Sequence, residues 1–178
     1  MKTRIIFHTA ILAMAVGLVS TAGAADSQAD QRVEVIYTNP EKFTDVKDAM
    51  MASERARDDY LRLLKEYLQE RVPQQVPEGS KLTINITDVD MAGDFEPWRG
   101  AQFQDVRVVK EIYPPRINLS YKLTDASGAV VKEGEESLRD TSFMLTTTPI
   151  PNNDSLRYEK ALLDNWLRRE FPKQRKKS

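Results

Sequence analysis

Hydrophobic and polar residues alternate in several short stretches of the chain, as expected for strands with one buried face. The clearest stretch spans residues 82–87, in which Leu82, Ile84 and Ile86 alternate with polar residues. Comparable patterns predict further strands at residues 32–38, 106–113, 117–123 and 129–135. The Asp-Ala-Ser-Gly turn at residues 125–128 joins the last two of these strands, which predicts an antiparallel hairpin.

Two longer stretches carry hydrophobic residues at three- and four-residue spacing, which is typical of amphipathic helices. The first predicts a helix over residues 53–72 with Ser53 as its N-cap. The second predicts a helix from an N-cap at Asp154 to Phe171, with Trp166 on its apolar stripe. Because the helices do not alternate regularly with the strands, we predict an α+β fold. It has a mostly antiparallel sheet of four to five strands, with two main helices packed on one face.

The first residues have the three parts of a cleavable secretory signal peptide. Lys2 and Arg4 precede a mainly apolar stretch at residues 5–19, and small residues follow it. The box formed by Ala22 and Ala24 predicts cleavage at this point. The alternative is a membrane anchor, but about 15 apolar residues fall short of the roughly 20 that a spanning helix needs. We therefore expect no transmembrane anchor after cleavage.

The predicted cleavage divides the chain into four parts. Residues 1–24 form the signal peptide, residues 25–31 a disordered leader, residues 32–172 a single globular α+β domain, and residues 173–178 a basic disordered tail. The expected location of the mature chain is the bacterial periplasm, or the outside of the cell.

Cleavage also limits the chemistry that the mature chain can perform. The chain has 26 Lys and Arg, 27 Asp and Glu, one His and no Cys. Losing residues 1–24 removes Lys2, Arg4 and His8, so the formal net charge moves from −1 to −3. Without His and Cys, Ser-His-Asp and Cys-His catalysis and the usual zinc and copper sites are excluded. We expect no cofactor, and the mild negative charge gives no electrostatic case for a nucleic-acid partner.

An acidic segment after the strand at 82–87 is the densest group of candidate ligand-binding residues. It contains four carboxylates with an aromatic and a basic neighbour: Asp88, Asp90, Asp94, Glu96, Trp98 and Arg99. One interpretation is a calcium loop that starts at Asp88, since Gly93 then takes the position of the sharp turn. Against it, Arg99 stands where a bidentate Glu is required. We predict no metal site.

Two other interpretations of the acidic segment need no metal. Asp88 and Asp90 share a face if the strand continues, and a carboxylate pair can serve as general acid and base, as in glycosidases. Alternatively, the segment is a shaped turn in which the acids cap backbone N–H groups or face water. Phe95 and Trp98 then pack in the core. The turn is the interpretation that we favour.

A second candidate site surrounds the two prolines at residues 114–115. Tyr113 and Arg116 could line a ligand groove, in which the guanidinium offers a bidentate fork to a carboxylate or phosphate. The alternative, which we favour, is that the prolines only form a bend or an edge between strands.

Four stretches together resemble domain-of-unknown-function family 3016, a family of exported proteobacterial proteins. They are residues 39–43 (NPEKF), 86–98 (ITDVDMAGDFEPW), 112–117 (IYPPRI) and 158–166 (YEKALLDNW). The resemblance covers nearly all of the mature chain and implies a periplasmic or secreted location. It supplies no activity, cofactor or catalytic residue.

Two hypotheses of function remain. The first, which we favour, is a non-enzymatic module of the cell envelope that binds an envelope protein or a small ligand. The second is a carboxylate-based, glycan-type hydrolase that uses the acids of the loop at residues 88–96. They differ in geometry, because a glycosidase needs two carboxyl groups facing a cleft about 5 to 9 Å apart.

The signal peptide gives a direct test of export. We expect the mature N-terminus to be Ala25 or Asp26, because the small-residue box precedes these positions. N-terminal sequencing of the protein from the periplasmic fraction measures this. Retention of Met1 in the membrane fraction would contradict the prediction.

Overall fold

The computed structural model describes residues 32–51 and 53–172. The predicted signal peptide at 1–24, the leader at 25–31 and the basic tail at 173–178 lie outside the described residues. The elements follow one another as β1 (Val33–Tyr37), α1 (Glu54–Arg71), β2 (Lys81–Asp90), β3 (Asp94–Phe95), β4 (Arg107–Val108), β5 (Arg116–Thr124), β6 (Val130–Arg139) and α2 (Arg157–Glu170).

Four of these strands form one sheet in the order β1-β2-β5-β6. β1 runs parallel to β2, and α1 supplies the long connection that parallel neighbours need. The other two pairings, β2 with β5 and β5 with β6, are antiparallel. β3 and β4 form a separate two-stranded ribbon. The predicted α+β fold with a mostly antiparallel sheet is therefore confirmed.

One face of the sheet is apolar because alternate residues of β2 and β5 point to it. Its central members are Leu82, Ile84, Ile86, Val89, Ile117, Leu119, Tyr121 and Leu123. Both helices pack on this face, with Leu64 and Leu68 from α1 and Leu163 and Trp166 from α2 in the same core. The opposite face carries polar residues and faces solvent, which suits an antiparallel sheet.

A shift of register in β2 determines which face of the sheet the first acids of the acidic segment occupy. The pairing of β2 with β5 is irregular between Ile86 and Asp88, so burial resumes at Val89. Asp88 and Asp90 therefore lie on the polar face, opposite Asn118 and Arg116 of β5. The two acids share one face, as the spacing of two residues in a strand requires.

The predicted strand at 106–113 is wrong for most of its length. Only β4 is a strand there, and it pairs with the ribbon partner β3 instead of joining the main sheet. A turn closed by the bond from Tyr113 N to Lys110 O, 2.9 Å long, ends the extended chain. The hydrophobic residues that suggested a strand, Val106, Val109 and Ile112, are exposed.

The two predicted helix caps have different outcomes. Ser53 caps α1, since its hydroxyl accepts a hydrogen bond from Ala56 N at 3.1 Å. Asp154 does not cap α2, which begins at Arg157. Its carboxylate instead accepts from Leu156 N at 2.9 Å and so shapes the turn before the helix. That turn brings the fully buried Leu156 into the core before the helix starts.

A cluster of three aromatic rings joins α2 to the centre of the sheet. The ring centroids of Tyr121 and Trp166 are 5.5 Å apart, and Phe171 lies 5.7 Å from Tyr121 and 5.9 Å from Trp166. The Tyr121 hydroxyl donates to Glu170 at 2.6 Å. The ring also lies close to the neighbouring strand, because a Cβ on Gly134 would be 3.1 Å from it.

Trp166 anchors this cluster, so its truncation tests the core. We expect Trp166→Ala to lower the free energy of unfolding by about 3 to 5 kcal/mol, the usual loss for a buried aromatic side chain. Denaturant titration measures the loss. The matched control is Trp98→Ala, which removes a side chain from a residue that is 71% exposed and should change the free energy by less than about 0.5 kcal/mol. A loss below about 1 kcal/mol at Trp166 would contradict the packing.

Candidate functional site

A polar cavity of about 380 Å³ lies at the end of the sheet where β2 and β6 finish and β5 begins. We refer to it as the arginine cavity. Its polar lining consists of Thr44, Asp45, Lys47, Asp90, Asp94, Tyr113, Arg116 and Arg139. Four of the eight residues predicted from the sequence meet here: Asp90, Asp94, Tyr113 and Arg116. The other four, Asp88, Glu96, Trp98 and Arg99, do not line it.

Three successive backbone N–H groups hold the loop that follows β2. Met91 N donates to Asp45 O at 3.0 Å, and Ala92 N donates to a carboxylate oxygen of Glu159 at 2.7 Å. Gly93 N donates to Tyr113 O at 3.0 Å. Each amide thus contacts a different segment of the chain, and the loop is fixed without regular secondary structure.

Gly93 is required at the sharpest point of this loop. Its φ angle is +84°, a conformation that residues with a side chain rarely adopt. A Cβ at this position would also lie 2.9 Å from Val108 O. The sequence-based expectation that Gly93 shapes a turn agrees with both observations.

Arg107 connects this loop to the segment that follows β1. Its guanidinium donates to both carboxylate oxygens of Asp45 at 2.9 Å. It also donates to Gly93 O at 3.0 Å and to Lys47 O at 2.8 Å. The same group lies over the ring of Phe95, 4.7 Å from its centroid. Since both charged partners are mostly buried, this bidentate pair fixes two walls of the cavity.

Asp90 and Arg116 form a second pair inside the cavity. Arg116 donates to one oxygen of Asp90 through Nε at 2.8 Å and through Nη2. Burial raises the pKa of Asp90, an effect that the Arg116 guanidinium opposes and that the nearby acids Asp45 and Asp88 reinforce. Half of the Arg116 side chain remains exposed.

Asp88 and Glu96 do not line the cavity, but each is bound by a residue that does. Asp88 accepts from Thr44 N at 2.7 Å and from the Thr44 hydroxyl at 2.9 Å. Glu96 is buried and accepts from Lys110 Nζ at 2.6 and 2.8 Å and from the Tyr113 hydroxyl at 3.1 Å. The bond to Lys110 lowers the pKa of Glu96. Tyr113 thus reaches from the cavity wall to the buried carboxylate.

The remaining acidic-segment residues divide between the turn and the surface. Asp94 accepts from Phe95 N at 2.7 Å, and Arg99 lies 3.4 Å from a Glu96 oxygen. Phe95 is buried, as the turn interpretation predicted. The expectation that Trp98 also packs in the core is wrong. The short helical turn Pro97–Arg99 follows the anchored Glu96 and carries Trp98 outward.

The four carboxylates of the acidic segment do not converge. Each has its own partner: Thr44 for Asp88, Arg116 for Asp90, the adjacent backbone for Asp94 and Lys110 for Glu96. Within residues 32–51 and 53–172, no group of three or more Asp, Glu, His or Cys side chains is arranged to hold a metal ion. In the same part of the chain, neither helix has the length and apolar character needed to cross a membrane.

Glu159 is a buried carboxyl group that the sequence analysis did not select. It lies in the first turn of α2, is 1% exposed and holds Ala92 N of the cavity loop. Burial raises the pKa of Glu159 to about 7, although the hydrogen bond from Ala92 and the charge of Arg107 act in the opposite direction. Asp154 raises it further.

The residues predicted from the sequence did not include Asp45, Lys47, Arg107 or Arg139. Only Glu159 carries a signal in the sequence, since it stands four residues before Leu163 and seven before Trp166 and so falls on the apolar stripe of α2. The other four lie in loops, at the edge of the short ribbon or at a strand end. Their role depends on contacts between residues up to 62 positions apart.

Most of the chain matches a known protein family. The model of a family described as "Protein of unknown function (DUF3016)" matches residues 31–169. No curated protein and no solved structure shows significant similarity to the chain.

The buried Glu159 predicts an unusual dependence of stability on pH. Its pKa is about 7 in the folded chain and near the ordinary value of 4.5 when unfolded. Between these values the folded state keeps a proton that the unfolded state has released, so stability falls as pH rises from about 5 to about 7.5. We expect this fall to be on the order of 2 kcal/mol smaller in Glu159→Gln, which keeps an oxygen for Ala92 N. Urea titration at several pH values measures it.

The control is Glu133→Gln, which neutralises an exposed acid of β6 and should leave the pH profile unchanged. Identical profiles for the wild type and Glu159→Gln would contradict the raised pKa.

Proposed function

The chain belongs to the DUF3016 family, whose members are described as proteins of unknown function, and we propose that it is a ligand-binding domain of the cell envelope. In this proposal the mature chain works in the periplasm or outside the cell, catalyses no reaction and takes a small polar ligand into the arginine cavity. The same binding function would be served if a partner protein inserted a polar side chain into the cavity.

One observation carries this proposal: the cavity is a pre-formed polar site built from segments far apart in the sequence. Its walls come from the segment after β1, the loop after β2, the start of β5 and the end of β6. The Asp45–Arg107 and Asp90–Arg116 pairs fix these walls before any ligand arrives. A volume of about 380 Å³ falls in the range of small-molecule sites.

The partners of the carboxylates favour binding over hydrolysis. A glycosidase needs one carboxyl group to donate a proton and a second one free to act as nucleophile or base. Asp90 has the raised pKa of a proton donor, but its carboxylate is bound to Arg116. Asp45, the nearby carboxylate, is held by both arms of Arg107. Neither of these two acids is left free to attack a glycosidic carbon, and the third acid of the lining, Asp94, accepts a hydrogen bond from Phe95 N.

The proposed location rests on the sequence. The basic residues, apolar stretch and small-residue box at the start of the chain support export. The lack of Cys throughout the chain is compatible with an oxidising compartment, in which a free thiol would be exposed to oxidation.

Ligand capture from envelope extract tests the function. We expect the purified protein, mixed with the small-molecule fraction of a periplasmic extract and washed, to retain a compound that mass spectrometry identifies after denaturation. The double variant Asp90→Asn/Arg116→Gln should lose that compound. Removing both charges together avoids leaving an unpaired buried carboxylate.

The matched control is Glu34→Gln/Lys81→Gln, which removes an exposed ion pair at the other end of the sheet and should retain the compound. No enrichment over the double cavity variant would overturn the binding proposal. Release of new reducing ends from envelope glycans, lost in Asp90→Asn, would favour the hydrolase instead.

A further inference from the structure

Two arginines stand directly opposite one another in the cavity wall. Arg116, the first residue of β5, pairs in register with Arg139, the last residue of β6. The next pair along, Ile117 and Leu138, is buried in the core. Because side chains alternate along a strand, both arginines point to the opposite, polar face.

This arrangement places two positive charges directly opposite each other. Side chains of directly opposed residues in antiparallel strands lie about 4.5 to 5.5 Å apart at Cβ, and like charges there repel. Asp90 neutralises Arg116, but it engages only Nε and Nη2 of that guanidinium. Within residues 32–51 and 53–172, the Arg139 side chain makes no hydrogen bond and no ion pair, although its backbone belongs to the ladder with β5.

Two cations of the cavity lining, Lys47 and Arg139, form no ion pair within the described residues. The lining contributes three cations, Lys47, Arg116 and Arg139. The acids of the same lining are Asp45, Asp90 and Asp94, and the first two are already bound by arginines.

We propose that Arg116 and Arg139 together bind an oxyanion, the carboxylate or phosphate group of the ligand that the arginine cavity takes. This inference rests on the proposed ligand-binding function and names the chemical group that is recognised. A guanidinium presents paired N–H donors that match the oxygens of a carboxylate or a phosphate. An anion between two such groups replaces their repulsion with attraction to both.

The two arginines have different roles in the proposed site. Arg116 is held by Asp90 and is already oriented without ligand. Arg139 is exposed and is ordered by the anion alone. Lys47, whose ammonium lies 5.5 Å from the centroid of the Phe95 ring, adds a third positive charge at the cavity wall.

Anion titration followed by NMR tests the inference. We expect inorganic phosphate and acetate, added separately to the purified ¹⁵N-labelled protein at constant ionic strength in chloride, to shift the Nε–Hε signals of Arg116 and Arg139 saturably. The dissociation constant of at least one of the two anions should be about 1 mM or lower. Tighter binding of phosphate indicates a phosphorylated ligand, and tighter binding of acetate indicates a carboxylate ligand.

Three variants make the test specific. Arg139→Gln should weaken binding about tenfold or more, and Arg139→Lys, which keeps the charge but loses the fork, should weaken it less. Lys122→Gln removes the same charge from β5 elsewhere on the exposed face and should change binding less than about twofold. Without added anion, Arg139→Gln should melt no lower than the wild type, since it relieves repulsion.

The outcomes also separate this inference from the proposed function. Equal weakening by Arg139→Gln and Lys122→Gln, or shifts spread over all surface cations without saturation, would overturn the oxyanion site. If a compound without carboxylate or phosphate is captured from the extract and Arg139→Gln still retains it, ligand binding stands and the oxyanion site is wrong. If nothing is captured and neither anion saturates, both are wrong.

Discussion

The guanidinium of Arg107 joins the segment that follows β1 to the loop that follows β2. Its hydrogen bonds to Asp45, Lys47 O and Gly93 O leave this irregular part of the chain little freedom. Losing one partner of such a mostly buried pair typically costs about 3 to 5 kcal/mol, because the other charge is left uncompensated. This contact fixes two walls of the arginine cavity, and the loop after β2 in turn binds Tyr113 and Glu159.

A second constraint places the two arginines. A shift of one residue in the pairing of β6 would move its side chains to the other face of the sheet. Two contacts favour the observed register: the ring of Tyr121 lies close against Gly134, where a Cβ would be 3.1 Å away, and Leu138 enters the core next to Ile117. Tyr121 is itself held by Trp166 and Phe171. Packing in the core therefore determines which charges meet on the polar face.

Hydrogen bonds and ion pairs within the domain explain why the carboxylates of the acidic segment do not converge on one site. The domain binds Asp88, Asp90 and Glu96 with its own hydroxyl, guanidinium and ammonium groups. At the cavity, Arg139 has no side-chain partner within the described residues. The carboxylates that are densest in the sequence are thus least available to a ligand. The charge that is available belongs to Arg139, which lies in a segment of ordinary composition.

The sequence by itself determined the fold class, the face of the sheet that is buried and the sharp turn at Gly93. These features follow from the periodicity of hydrophobic residues and from backbone conformation, and both are determined by residues close together in the sequence. It also selected Asp90, Asp94, Tyr113 and Arg116, because charged and aromatic residues at strand ends are a local signal. Only the tertiary structure decided that β1 is parallel, that Trp98 is exposed and that Arg107 and Arg139 belong to the cavity. These depend on contacts across tens of residues, and no short pattern in the sequence encodes which distant charge will be the partner.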